Sequence, residues 1–303
     1  MKKNLLHLFS IAFFSLIALS VQAQEYGMEF ANDGYNHNSL RPIHESQIMY
    51  KKTLWFKVLL KEKQNKPFFA RANEITKVIF EAAKMGIIRP YENDSLTTRM
   101  STETFLEKLK IPSDGPELTE EEIAMGFGAD DLGWGGGGGG DDWGSGGDWG
   151  GGDGGGGSAA PEAAEFMPQQ ISIMEIREDL LFDKKRSRMI HDIQSIGFWI
   201  PAELDTKTGM EKPLAFFSYK ELVSNLFRDN PKAIWYNTNN NAHHRNLEEA
   251  FDLRLFTGKI IKYDNLDDEM IIDMNDGDTQ RSLIGSEQYE YKQIEYESNL
   301  WEN

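Results

Sequence analysis

Between Gly133 and Gly157 the chain holds 17 glycines in the run "GWGGGGGGDDWGSGGDWGGGDGGGG". Glycine loses more conformational freedom on ordering than any other residue, so neither a helix nor a strand is expected to run through such a stretch. Whatever folds must be built from the sequence on either side. The stretch also lacks the parts of a nucleotide site. A phosphate-cradling loop needs a Lys and a Ser or Thr after its glycines, and the next basic residue here is Arg177. A dinucleotide-binding turn needs an apolar strand before it and an apolar helix after it. Asp141, Asp142, Asp148 and Asp153 would repel nucleic-acid phosphates from Trp134, Trp143 and Trp149. The Gly-Asp elements have no fixed nine-residue period of the kind that binds calcium in β-rolls. A hydrated tether is expected, about 27 Å from end to end for a flexible chain of this length. Its three tryptophans are more than a plain spacer requires.

The chain opens "MKKNLLHLFSIAFFSLIALSVQAQ", two lysines ahead of an apolar run and small residues at Val21 and Ala23. This reads as a secretory signal peptide over residues 1–23 and an exported protein. With no Cys in the sequence, disulfides and Cys-ligated metals are excluded, and so is a lipid on a cysteine. Charge is uneven. The formal total is −17, yet Leu40 to Lys110 holds 14 basic and 8 acidic residues, whereas Ile111 to Ile176 holds 14 acidic residues and no Lys or Arg. The expected organisation is a flexible arm (24–39), an N-terminal lobe (40–112), an acidic glycine-rich linker (113–167) and a C-terminal lobe (168–303). The expected class is α+β, with two mixed helix and strand lobes joined by a disordered linker. Arg177 to Asn303 holds 16 basic and 24 acidic residues, and opposite charges on the lobes could steer subunits head to tail.

Within the lobes, Ile48, Leu54, Trp55, Val58 and Leu59 fall at mixed helical spacings, which predicts a helix and then a turn or short strand at Lys66 to Phe69. Ile75, Val78, Ile79, Ala82 and Ala83 form an apolar stripe of helical period after Asn73, ended by Gly86 and Pro90. A shorter helix from Thr102 to Leu109 has Ser101 as its cap. After the glycines, alternation around Asp183 to Arg186 predicts paired strands. Leu214 to Phe217 reads as a strand leading into a capping box, Ser218 with Glu221, and a helix. A helix turning at Gly258 into a strand, a strand at Met270 to Met274 and a C-terminal surface helix with Tyr289, Ile294 and Trp301 complete the pattern. Trp55 and Phe227 are expected in the core.

Candidate chemistry is sparse. His244 and Glu248 stand four apart on a helix, but a metal needs a third ligand. His191 with Asp192 and His44 with Glu45 have no nucleophile motif beside them. "DMNDGDTQRSL" from Asp273 has its glycine one place early for a calcium loop and no closing Glu, so a β-turn at Asn275 to Asp278 explains it. No catalytic, cofactor-binding or metal-binding residue is assigned, no cofactor is expected, and no enzyme activity is indicated. The candidate protein-contact residues are Lys184, Lys185 and Arg186 in a charged turn, with Trp235 and Tyr236 beside an Asn-rich loop, because amphipathic aromatics next to amides suit protein contacts.

The blocks "RPIHESQIMYKKTLWFKVLLKEKQNKPFFARANEITKVIFEAAKMGIIRPYENDSL", "EIREDLLFDKKRSRMIHDIQSI", "WIPAE", "FRDNPKAIWYN", "AFDLRLFTGKI" and "NLWE" resemble the gliding motility GldN family, also called PorN. The resemblance covers roughly Arg41 to Ser113 and Gln170 to Glu302. It implies a periplasmic structural component of the type IX secretion system of Bacteroidetes. It also implies a ring formed with the outer-membrane lipoprotein GldK or PorK and with other copies of the chain, worked by inner-membrane motor proteins. No nucleic acid is expected. A freestanding periplasmic carbohydrate- or peptide-binding protein is the alternative reading of the aromatic surface, and a metal-dependent hydrolase is a weaker one. The glycine-rich insert is not one of the family's blocks. Deleting Gly133 to Gly157 is expected to leave co-purification with the lipoprotein intact, and its loss in a pull-down would end the tether reading.

Overall fold

The computed structural model describes residues 33–111, 165–205 and 208–302. The expected signal peptide, the first part of the arm (24–32) and the glycine-rich stretch with its flanks (112–164) lie outside the described residues.

Side-chain alternation decides the first element. Leu54, Phe56 and Val58 are buried while Trp55 and Lys57 face the other way, so Ile48–Leu59 is a strand, β1, where a helix is expected. The apparent helical spacing came from grouping Trp55 and Leu59 with Leu54 and Val58, which lie on opposite faces. After a turn at Lys66–Phe68, Phe69–Ala70 pairs with Asn73–Glu74 in a small hairpin. Helix α1, Ile75–Lys84, buries the stripe its spacing predicts, starts after Glu74 and ends before Gly86, whose φ is +71°. Helix α2 is Thr102–Leu109, and Ser101 Oγ accepts the Thr104 N–H at 3.1 Å as its cap.

Strands β2, Ile173–Asp183, and β3, Arg188–Ile200, form the expected hairpin. Strand β4, Lys212–Ser218, runs into a single helical turn, α3, Tyr219–Leu222, which widens to a π-helical turn at Val223–Phe227. The expected capping box does not form. Ser218 makes no side-chain cap, and Glu221 lies 4.0 Å from Arg89 instead. Helix α4, Leu247–Asp252, and strand β5, Lys259–Tyr263, follow, then α5, Ile271–Met274, and α6, Thr279–Glu302. The residues around α5 are helical where a strand is expected. Asn275 Nδ2 donates to the Ile271 carbonyl at 2.7 Å and Gly277 N–H to the Ile272 carbonyl at 2.9 Å, which closes the turn locally.

All five strands form one antiparallel sheet in the order β4-β3-β2-β1-β5. The stretches expected as separate lobes therefore share a sheet: β1 precedes the glycines, and its neighbours β2 and β5 follow them. The reason lies in the rows of side chains. Ile260, Phe56, Ile176, Ile196 and Phe217 stand in register across every strand, and Val58, Met174, Phe198 and Ala215 form the next row. Neither part of the chain can complete such a row alone. On this face Phe80 of α1 meets Phe198 and Phe105 edge-on at 5.4 and 5.7 Å. A second aromatic group centres on Phe251 of α4, with Phe68 at 5.2 Å, Tyr219 at 5.8 Å and Phe227 at 5.9 Å. Phe227 is in the core as expected.

Both sheet edges are met. Tyr91 exchanges two backbone hydrogen bonds with Phe216, 2.8 and 2.9 Å, beside β4. Tyr289 of α6 stacks on Tyr263 of β5 with ring centres 4.0 Å apart. Covering an edge in this way blocks pairing with foreign strands. Residues 33–39, expected to be part of a mobile arm, are fastened: Tyr35 bridges His44, and Asn36 Nδ2 donates to Gln194 Oε1 at 3.1 Å. In the separate unit Leu109–Phe166, Lys110 and Glu165 form an antiparallel bridge and the Leu109 carbonyl accepts the Phe166 N–H at 2.8 Å.

Gly197 of β3 is opposite Phe216, and a Cβ there would fall 2.5 Å from two atoms of its ring. That ring packs with Tyr91 and Leu96. Gly197→Ala is expected to cost about 1–3 kcal/mol through displacement of the ring. A lower urea midpoint with unchanged slope would show it, and an unchanged midpoint would mean that the ring has room to move.

Candidate functional site

Strand pairing draws several acids into the sheet, and their partners decide what they can do. Glu178 is fully buried, with Arg254 Nη1 donating to Oε2 and His191 Nδ1 lying 3.1 Å from Oε1. Burial pushes its pKa up, but the His191 hydrogen bond and the Arg254 charge outweigh this and hold it below the usual carboxylate range. Asp179 accepts from Thr53 Oγ1 at 2.8 Å and pairs with Lys51 at 3.0 Å. Asp192 accepts from Gln194 Nε2 at 2.7 Å. Burial pushes Asp192 up to about 6, opposed by a Ser39 hydrogen bond and increased by the nearby Asp179 charge. The Glu178–His191 and Asp179–Thr53 contacts join β2 to its two neighbours, whereas the Asp192–Gln194 bond lies within β3. His191 and Asp192 do not act as a pair: His191 reaches Glu178, whereas Asp192 is bonded to Gln194, as alternation along a strand requires.

The opposite face of the sheet carries a polar and aromatic arrangement. Trp55, expected in the core, is half-buried here. Its Nε1 donates to Asp94 Oδ2 at 2.7 Å, and Arg177 and Lys262 lie 5.6 and 4.9 Å from the ring centre. Such cation contacts favour the ring's electron-rich face. Beside it a cavity of about 570 Å³ opens between this face, β5 and the start of α6, lined by Ile173, Trp199, Ile260, Ile271 and Leu283, with Glu175 among them. Glu175 is only 6% exposed. Burial pushes its carboxyl up to about 7, and the Asp94 charge adds to this against the weaker opposing charges of Lys262 and Lys57.

The candidate contact residues fall in two separate places. Lys184, Lys185 and Arg186 form the exposed β2–β3 turn. Asp183 shapes this turn by accepting the Lys185 N–H at 2.8 Å and the Arg186 guanidinium at 3.1 Å. The two lysines contribute to the turn through their backbone N–H groups, Lys184 to the Gln47 carbonyl and Lys185 to Asp183. Trp235 lies in a two-residue strand paired with Arg245–Asn246. Tyr236 N–H donates to the Pro67 carbonyl at 2.9 Å, and its ring stacks on His244 at 4.7 Å. Tyr236 lines a shallow groove of about 500 Å³ together with Leu60, Lys61, Lys66, Phe69 and Arg71. Sequence reasoning missed this groove, although the cations of "KEKQNKPFFAR" were its signal.

The remaining candidates resolve into local structure. Glu248 pairs with Arg228 at 2.8 Å, and His244 Nδ1 accepts the Asn237 N–H at 3.1 Å, so the two do not converge on one ion. His44 Nδ1 is 2.7 Å from Ser46 Oγ. Asn275 to Asp278 is a turn, and Asp278 Oδ1 accepts the Gln280 N–H at 2.9 Å at the start of α6. Among the described residues no group of three or more His, Cys, Asp or Glu is placed to hold a metal, and no helix is long and apolar enough to cross a membrane.

A family model described as gliding motility associated protein GldN matches residues 43–302. No curated protein matches the chain.

The Glu175 carboxyl gives stability a definite pH dependence. Its folded pKa of about 7 lies above its unfolded value of 4.5, so the folded state holds the proton more tightly. This contribution is present below pH 4.5 and is lost as pH rises through about 7. Glu175→Gln is expected to remove that part of the fall, worth about 3 kcal/mol at most. Urea melts at pH 5 and pH 8 test it, and an equal pH loss in both proteins would clear Glu175 of the effect.

Proposed function

The chain belongs to the GldN family of gliding motility associated proteins, which places it in the type IX secretion and gliding motility machinery, and on that premise we propose that it is a periplasmic structural subunit. Its partners are an outer-membrane lipoprotein of the GldK or PorK kind and other copies of itself, with which it forms a ring that supports export across the outer membrane. Inner-membrane motor proteins of the same system transmit work through it. The observation that carries this reading is the family match across both sides of the glycine-rich insert.

The geometry supports the same role. Glu178, Asp179 and Asp183 are engaged with Arg254, Lys51 and Arg186, neighbours that hold the sheet and its turn. A subunit that carries load benefits from a sheet in which strands distant in sequence are tied side by side. Contact then falls to the exposed charged turn and the aromatic surface, namely Lys184, Lys185 and Arg186, with Trp235 and Tyr236.

The native complex should sediment far above the mass of one chain and contain the lipoprotein. A monomeric chain without that partner would overturn the assembly role. Lys184→Glu with Lys185→Glu should leave the thermal melt unchanged and weaken assembly, more so at low salt. Assembly that is indifferent to this double change across salt would remove the turn from the contact.

A further inference from the structure

The run from Lys61 to Arg71 carries four cations and one carboxylate, a net charge of +3. Three of these cations, Lys61, Lys66 and Arg71, are exposed and line the groove with Phe69 and Tyr236. The groove is held in place before any partner arrives. Phe69–Ala70 is paired with Asn73–Glu74, and Tyr236 is fixed by its hydrogen bond to Pro67 and its stack on His244. A preformed site of this kind loses little freedom on binding.

The complementary pattern lies on α6. That helix carries five carboxylates and two cations, a net charge of −3. Ser286, Tyr289 and Gln293 occupy its packed side, where Tyr289 meets Tyr263 and Gln293 Oε1 accepts from Tyr50. The opposite side exposes Ile284, Tyr291 and Ile294, which are 53%, 72% and 62% exposed. Those positions are seven and three apart, one face of a helix, and Glu287, Glu290 and Glu295 stand exposed among them. An apolar stripe with acidic flanks is the form in which a helix lies in a groove with a basic rim.

We infer that the outward face of α6 in one copy of the chain docks in the Lys61–Lys66–Arg71 groove of the next copy. This rests on the proposed assembly role and assigns the contact within it. The two surfaces share no residue, so the contact is head to tail. Each added copy leaves one groove and one helix free, and association continues until a ring closes. Ile284, Tyr291 and Ile294 supply the buried area, while the opposed charges set orientation and rate of encounter.

Mixing separates this contact from others. Two full-length variants are made, Lys61→Glu/Lys66→Glu/Arg71→Glu and Glu287→Lys/Glu290→Lys/Glu295→Lys, and sedimentation velocity is read at low salt. Each alone is expected to lose about tenfold or more in self-association. An equal mixture regains it, because the acidic helix of one fits the intact groove of the other and the two reversed surfaces match. Recovery on mixing also shows that both variants are folded. Assembly of either variant at wild-type strength overturns the contact, and so does a mixture that stays dissociated. A groove variant that self-assembles but no longer co-purifies with the lipoprotein assigns the groove to that partner and likewise overturns it. A wild-type chain that remains monomeric, alone and with its partner, overturns the assembly role itself.

Discussion

The pairing of β1 with β2 is the constraint on which the rest of the structure depends. Leu59 stands opposite Ile173, and the glycine-rich stretch lies between them in the chain. Closing so long a loop is a cost that rises only slowly with length, about 0.6 kcal/mol for each doubling. Extra glycine-rich sequence is therefore tolerated once the strands are in register. The register itself is secured by rows that no single strand can form, such as Phe56, Ile176 and Ile196 with Ile260 on one side and Phe217 on the other.

That pairing also sorts polar groups between the two faces. On one face, aromatic side chains from α1 and α2 meet the rows of the sheet. The other face keeps Trp55 between Arg177 and Lys262, and a buried Glu175 beside an apolar cavity. Buried acids on adjacent strands would repel one another without partners, and the partners come from distant sequence: Arg254 reaches Glu178 and Lys51 reaches Asp179. Removing one member of such a pair leaves a buried charge uncompensated, which is far more costly than losing an exposed one.

Edges and exposed surfaces then carry the link to function. The β5 edge is covered by α6, whose inward residues are fixed to Tyr263 and Tyr50 while its outward residues have no cover among the described residues. The groove at Lys61 to Arg71 is the basic counterpart on the same chain. In the proposed assembly role the five-stranded sheet is the framework that carries both surfaces.

By itself the sequence determined the elements whose signals are local. The α1 stripe, the Ser101 cap, the β2–β3 hairpin and the turn at Gly258 follow from neighbours within a few residues. The family was legible in the long blocks on both sides of the insert. Only the tertiary structure decided what depends on distant partners. β1 has both helical spacing and alternation in its residues, and the rows of β2 and β5 select the strand. Trp55 is apolar enough for a core, yet the pleat sends it to the other face, where Asp94 accepts its N–H. The groove joins Lys61 to Tyr236 across more than half the chain, and its two parts meet where the Tyr236 N–H donates to the Pro67 carbonyl. Periodicity reports what a residue's immediate neighbours permit, whereas pairing across the sheet sets which residues share a surface.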